Sequence, residues 1–146
     1  MAPLLAMHPG SGSERKNWPE VKWAVLIEHL LRSTPWDLLL IGGEAEGDRL
    51  QRLTKERLPR VELAESLPLP ELASRLQTAD AFIGHDSGIS HLAAALDLPS
   101  LVLWGETNEF IWRPRNDRVR LLKPSGGLSS LEVERVAQEV RKLLPV

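Results

Sequence analysis

Cysteine is absent from all 146 residues, which excludes disulfides and cysteine-ligated metal sites and leaves the compartment unindicated. Tyrosine is absent too, so the large aromatic volume rests mainly on five tryptophans. No apolar run approaches the roughly 18 residues that a membrane-spanning helix needs. Neither charge sign dominates. The net charge of −2 gives no reason to expect a nucleic-acid partner or an anionic membrane surface. The opening MAPLLAMHPG lacks a basic start, and its apolar stretch is too short for a signal peptide, so the cytoplasm is the expected location. There is no internal repeat and no low-complexity segment.

What is present suits one soluble globular domain spanning residues 1–146, long enough to bury its own core. A strand-like segment stands at the very start with no lead-in, as expected of a domain belonging to a longer protein. Short apolar runs predict buried strands at residues 4–8, 36–41, 61–63, 79–83, 101–104 and 119–122. Helical patterns lie between them. Pro19 opens one helix, with an apolar face read as Val21, Ala24, Val25, Ile27 and Leu31. A charged helix is expected from Ala45 to Leu58, another from Pro70 to Leu76, and an apolar one from Ile89 to Leu96. Ser129 with Glu132 reads as a capping box for a last helix, with Leu131, Val136, Val140 and Leu143 inward. Strands that are continuously apolar, alternating with helices, predict a doubly wound, mainly parallel α/β sheet covered on both faces. Such a Rossmann-like sheet binds ligands at the carboxyl ends of its strands.

Polar, glycine-bearing segments follow those strands, and the topology gathers them on one edge. His85-Asp86-Ser87-Gly88-Ile89-Ser90-His91 stands between a buried strand and an apolar helix. A helix start offers free N–H groups and partial positive charge, which suits a phosphate at Ser87 and Gly88, and His91 lies one turn on. The competing reading is that Asp86 or Ser87 only caps the helix. A serine-hydrolase elbow is not supported, because positions 85 and 89 are His and Ile rather than Gly. The first loop, His8 to Lys16, has small residues that let a phosphate approach, with Lys16 as a point charge or as a solvated loop lysine. It matches neither the Walker A pattern nor the dinucleotide fingerprint. Glu44, after Gly42-Gly43, suits a ribose diol or its own helix dipole equally. Gly105 to Arg115 is a fourth, less defined loop, and Pro114 to Asp117 is expected to be exposed. The four histidines have no metal-site spacing, and His8 and His29 read as structural or solvated. Trp18, Trp23 and Trp36 read as core, whereas Trp104 and Trp112 either line a pocket or pack.

At these residues the chain resembles the C-terminal half of the ADP-heptose:lipopolysaccharide heptosyltransferases, a GT-B glycosyltransferase family. The matching features are His8-Pro9-Gly10-Ser11 with Lys16-x-Trp18-Pro19, Gly42-Gly43-Glu44, Gly84-His85-Asp86-Ser87-Gly88-x-x-His91-Leu92-Ala93-Ala94-Ala95, and Leu103-Trp104-Gly105-x-Thr107 with Trp112-x-Pro114. The resemblance implies a domain that binds an ADP-sugar as substrate, with no separate cofactor or metal. It implies Lys16 on the diphosphate, stabilising the leaving charge, and Glu44 on the ribose. Ser87, Gly88 and His91 would meet the diphosphate and Asp86 the donor sugar. Ser11 and Gly12 would line the phosphate loop, with Leu67 near the adenine. It also implies a second, acceptor-binding domain, absent from these residues, that holds the catalytic base and approaches the inner membrane through its lipid-linked acceptor. A non-catalytic nucleotide-sugar-binding module is the alternative, and a dehydrogenase is remote because its fingerprint is missing.

Overall fold

The computed structural model describes residues 2–11, 16–43, 46–54, 58–105 and 117–144. Among them, six strands form one sheet: β1 (Leu4–Met7), β2 (Asp37–Gly42), β3 (Val61–Glu65), β4 (Ala81–His85), β5 (Ser100–Leu103) and β6 (Val119–Leu122). The order is β3-β2-β1-β4-β5-β6 and every pair is parallel. Helices α1 (Glu20–Ser33), α2 (Gly47–Leu53), α3 (Leu69–Gln77), α4 (Gly88–Ala95) and α5 (Val133–Arg141) connect or follow the strands. The fold is the expected Rossmann-like α/β sheet. Its winding reverses between β1 and β4, so the loops leaving these two strands diverge and open a crevice at their carboxyl ends.

Alternation along the strands sorts side chains onto two layers. Leu5, Met7, Leu38, Leu40, Ile83 and Leu101 face one core with Trp23, Leu26, Leu30, Val136 and Val140. Ala6, Leu39, Ile41 and Phe82 face the other with Leu72, Leu76 and Ala93. Each fully buried side chain of this size contributes roughly 1.5–3 kcal/mol. That burial on both faces explains the absence of polar alternation in β2 and β4.

Four expectations are corrected. α1 buries Trp23, Leu26, Ile27 and Leu30, while Val21 and Val25 are 75% and 49% exposed. The same 3.6-residue period fits both faces, and the one carrying Trp23 and two leucines buries far more apolar area. Pro19 is the residue before this helix rather than its first, and its carbonyl accepts from Lys22 and Trp23 N–H. β4 runs two residues later than expected, because Ala79 N–H still bonds Leu76 O at the end of α3, and only from Asp80, whose N–H meets Leu4 O, does the chain join β1. The capping box does not form. Ser129 lies in a 3-10 turn, Leu128–Ser130, and α5 starts after Glu132 without a side-chain cap. Lys22 Nζ draws the Ser129 and Leu131 carbonyls to itself at 2.7 and 2.9 Å, holding this stretch short of the helix.

Candidate functional site

The β1–β4 crevice is built by two loops and tied together by two histidines. His85 ends β4 and is fully buried. Its Nε2 accepts the Trp18 backbone N–H at 2.8 Å. An N–H can only donate, so Nε2 holds the lone pair and Nδ1–H donates to Gly10 O at 3.0 Å. Burial pushes this imidazole down to about 3, against a raising contribution from the Gly10 carbonyl. A neutral His85 thus anchors both ends of the loop after β1. Trp23 packs edge-on against it at 5.4 Å.

His8 follows β1 and is also buried, at 2% exposure. Its Nε2 lies 2.9 Å from Glu46 Oε2, and its Nδ1 lies 3.5 Å from Ser87 Oγ. Glu46 also accepts the Gly43 N–H at 3.3 Å. One ring therefore joins the loops after β1, β2 and β4. A Cβ on Gly10 would fall 2.5 Å from Glu46 Cδ, so only glycine lets that carboxyl reach His8. Glu20 helps set the position of α2. Arg52 donates to both its oxygens at 2.8 Å and, with Arg49, holds its carboxyl below the usual range despite some burial.

On the β4 side, Ser87 is the N-cap of α4 and accepts the Ser90 N–H at 3.4 Å. The capping reading is therefore correct for Ser87, and it leaves the other first-turn N–H groups of α4 without intrahelical acceptors. No acidic side chain in that first turn offsets their positive end. Gly88 is exposed, and a Cβ there would meet nothing within 4 Å. Asp86 is 7% exposed, and its Oδ2 has no hydrogen-bond partner. Lys16 Nζ stands 3.5 Å from that oxygen, within ion-pair range yet without a formed hydrogen bond, and is 45% exposed. The result is an ammonium, a buried carboxylate oxygen and a helix N-terminus side by side.

The structure thus brings Lys16, Asp86 and Ser87 together. His91 is exposed, one turn along α4 from Ser87, and Ser11 is partly buried in the first loop. Leu67 is set apart beyond β3, where it lines a shallow cavity of about 370 Å³ with Pro70, Glu71, Ser74 and Arg75. Gly12, Glu44, Thr107, Trp112 and Pro114 lie outside the described residues, as does most of the fourth loop. Trp18, Trp23, Trp36 and Trp104 are all fully buried core residues. Two residues not expected to serve the site stand inside it: His8, which reads from sequence as structural or solvated, and Glu46. Their signal was position, since each directly follows a strand at the carboxyl edge.

Residues 1–138 match the model of glycosyltransferase family 9 (heptosyltransferase). Lipopolysaccharide heptosyltransferase 1 of Pseudomonas aeruginosa is 37% identical over 112 residues, 73% of this chain and 30% of that protein. Lipopolysaccharide heptosyltransferase 3 of Escherichia coli is 30% identical over 114 residues, 75% of this chain and 33% of that protein. The chain spans about a third of the length of these curated relatives. The solved structure of Escherichia coli heptosyltransferase WaaC with ADP superimposes with a TM-score of 0.88 at 27% identity, covering 97% of this chain and 44% of that one.

Proposed function

This chain belongs to glycosyltransferase family 9, and on that premise we propose that it holds an ADP-sugar donor, of the ADP-heptose kind, for transfer to a lipopolysaccharide core acceptor. The observation that carries this reading is the buried Asp86 Oδ2 at the N-terminus of α4, ion-paired with Lys16 but without a hydrogen bond. The Lys16 ammonium offsets part of the cost of burying this charge, and a sugar hydroxyl would supply the hydrogen bond the oxygen lacks. The ammonium and the α4 N–H groups suit a diphosphate, whose negative charge grows as the sugar leaves. Similarity to a heptosyltransferase solved with ADP supports the choice of nucleotide.

In this scheme Lys16 and the α4 N-terminus stabilise the leaving group, and Asp86 orients the sugar. Ser11 and Gly12 line the phosphate loop, Glu44 holds the ribose, Leu67 meets the base and His91 reaches the diphosphate. Transfer with inversion also needs a base to take the acceptor's proton. We assign that base and the acceptor site to a region outside these residues, working on the cytoplasmic side of the inner membrane. Calorimetric titration with ADP, UDP and GDP tests the donor assignment, with ADP expected to bind most tightly. Equal affinity for the three, or no binding at millimolar ADP, contradicts it.

A further inference from the structure

The Ser87 hydroxyl has one proton and two claims on it. Glu46 is a carboxylate and only accepts, so the ring nitrogen of His8 facing it, Nε2, carries hydrogen. In neutral His8, Nδ1 then holds a lone pair, and the Ser87 hydroxyl 3.5 Å away is the group that donates to it. Ser87 Oγ already accepts the Ser90 N–H. With the proton turned inward, the oxygen shows the crevice only a lone pair, which repels an anion. In cationic His8 the direction reverses. Nδ1–H donates to Oγ, and the Ser87 O–H is released toward the N-terminus of α4, with a positive charge behind it.

We propose that His8 is a positioning residue that sets the direction of the Ser87 hydroxyl, and so couples diphosphate binding at α4 to the uptake of one proton. The inference rests on the donor-site reading above. The hydrogen-bond partners in the crevice leave His8 as the ring whose contacts fit either charge. His85 feels the fields of His8, Arg49 and Glu46, so these four form one cluster, and its own two backbone bonds require it to be neutral. Arg49 pairs with Glu20 at 3.7 Å, and Lys16 across the crevice pairs with Asp86. Glu46 is the carboxylate that faces the ring and supports its cation.

The test uses ADP-ribose, a diphosphate diester with no phosphate titrating near neutrality. It is titrated by calorimetry in buffers of different ionisation enthalpy between about pH 6 and 8. Wild type is expected to take up as much as one proton on binding, with affinity falling toward about tenfold per pH unit on the alkaline side. Adenosine should show neither effect. His8→Gln keeps a donor toward Glu46 but has no titrating group, and it should bind without proton uptake. Ser87→Ala should likewise lose the pH dependence, and His29→Gln, on α1 against Arg141 and outside the site, should keep it. Binding without uptake in wild type, uptake that persists in His8→Gln, or uptake lost in His29→Gln would each overturn the proposal. Absence of ADP-ribose binding in wild type would instead sink the donor-site reading, and this inference with it. Should His8→Gln not fold, the ¹⁵N shifts of the His8 ring in wild type decide. Nδ1 gaining a proton on addition of ADP-ribose at fixed pH supports the proposal, and an unchanged lone pair refutes it.

Discussion

At the end of β4, His85 is enclosed by backbone groups, whereas at the end of the adjacent β1, His8 is enclosed by side chains. Both rings are buried and both lie at the carboxyl edge. A backbone N–H on Nε2 and a carbonyl on Nδ1 admit one tautomer and one charge for His85. A carboxylate on one nitrogen and a hydroxyl on the other admit two charge states for His8. The difference separates a residue that builds the crevice from one that serves what enters it.

Removing His85 should be the largest perturbation. His85→Ala leaves the Gly10 carbonyl and the Trp18 N–H buried and unpaired and opens a cavity beside Trp23. A loss of about 3–5 kcal/mol in chemical denaturation is expected. Stability should also depend on pH through this ring. Its folded value is depressed to about 3 from 6.5, so the unfolded chain binds the extra proton between those values. Its contribution is complete above pH 6.5 and is lost as pH falls toward 3, approaching about 1.4 kcal/mol per pH unit. A variant such as His85→Gln should flatten that slope. An unchanged slope would mean that His85 is not the neutral staple described.

Next in size is Lys16→Ala. At 45% exposure Lys16 bears little on folding, so stability should hold while ADP binding weakens by about 1.5–3 kcal/mol and adenosine binding does not. Equal losses for ADP and adenosine would remove Lys16 from the phosphate site. Smaller still is Ser87→Ala, which should cost about 0.5–2 kcal/mol of stability through the lost cap. Gly88→Ala should be the mildest for folding, within about 0.5 kcal/mol, because its Cβ enters open space. If that space receives a diphosphate, Gly88→Ala should still weaken ADP in a titration.

The sheet was legible because β1, β2, β4 and β5 are continuous apolar runs, which a doubly covered parallel sheet requires. The face of α1 was misread because Val21 and Val25 fit a helical period as well as Trp23, Leu26 and Leu30 do. Periodicity alone does not rank two stripes of the same helix. The Ser129–Glu132 pattern was present in sequence, but Lys22, more than a hundred residues away, engages the Ser129 and Leu131 carbonyls within it. Lys16 and Asp86 were legible as neighbours because both follow strands that meet at the topological switch. The His8–Glu46 contact was not, since it depends on how the loop after β2 folds back across 38 residues of sequence separation.

A crystal structure of the chain with ADP tests the central claim most directly. The diphosphate is expected in the β1–β4 crevice, within hydrogen-bond distance of the first-turn N–H groups of α4 and of Lys16 Nζ. Asp86 Oδ2 is expected to be open toward the position the sugar would take. Nucleotide bound elsewhere, or a diphosphate in the crevice that touches neither Lys16 nor the start of α4, would contradict it.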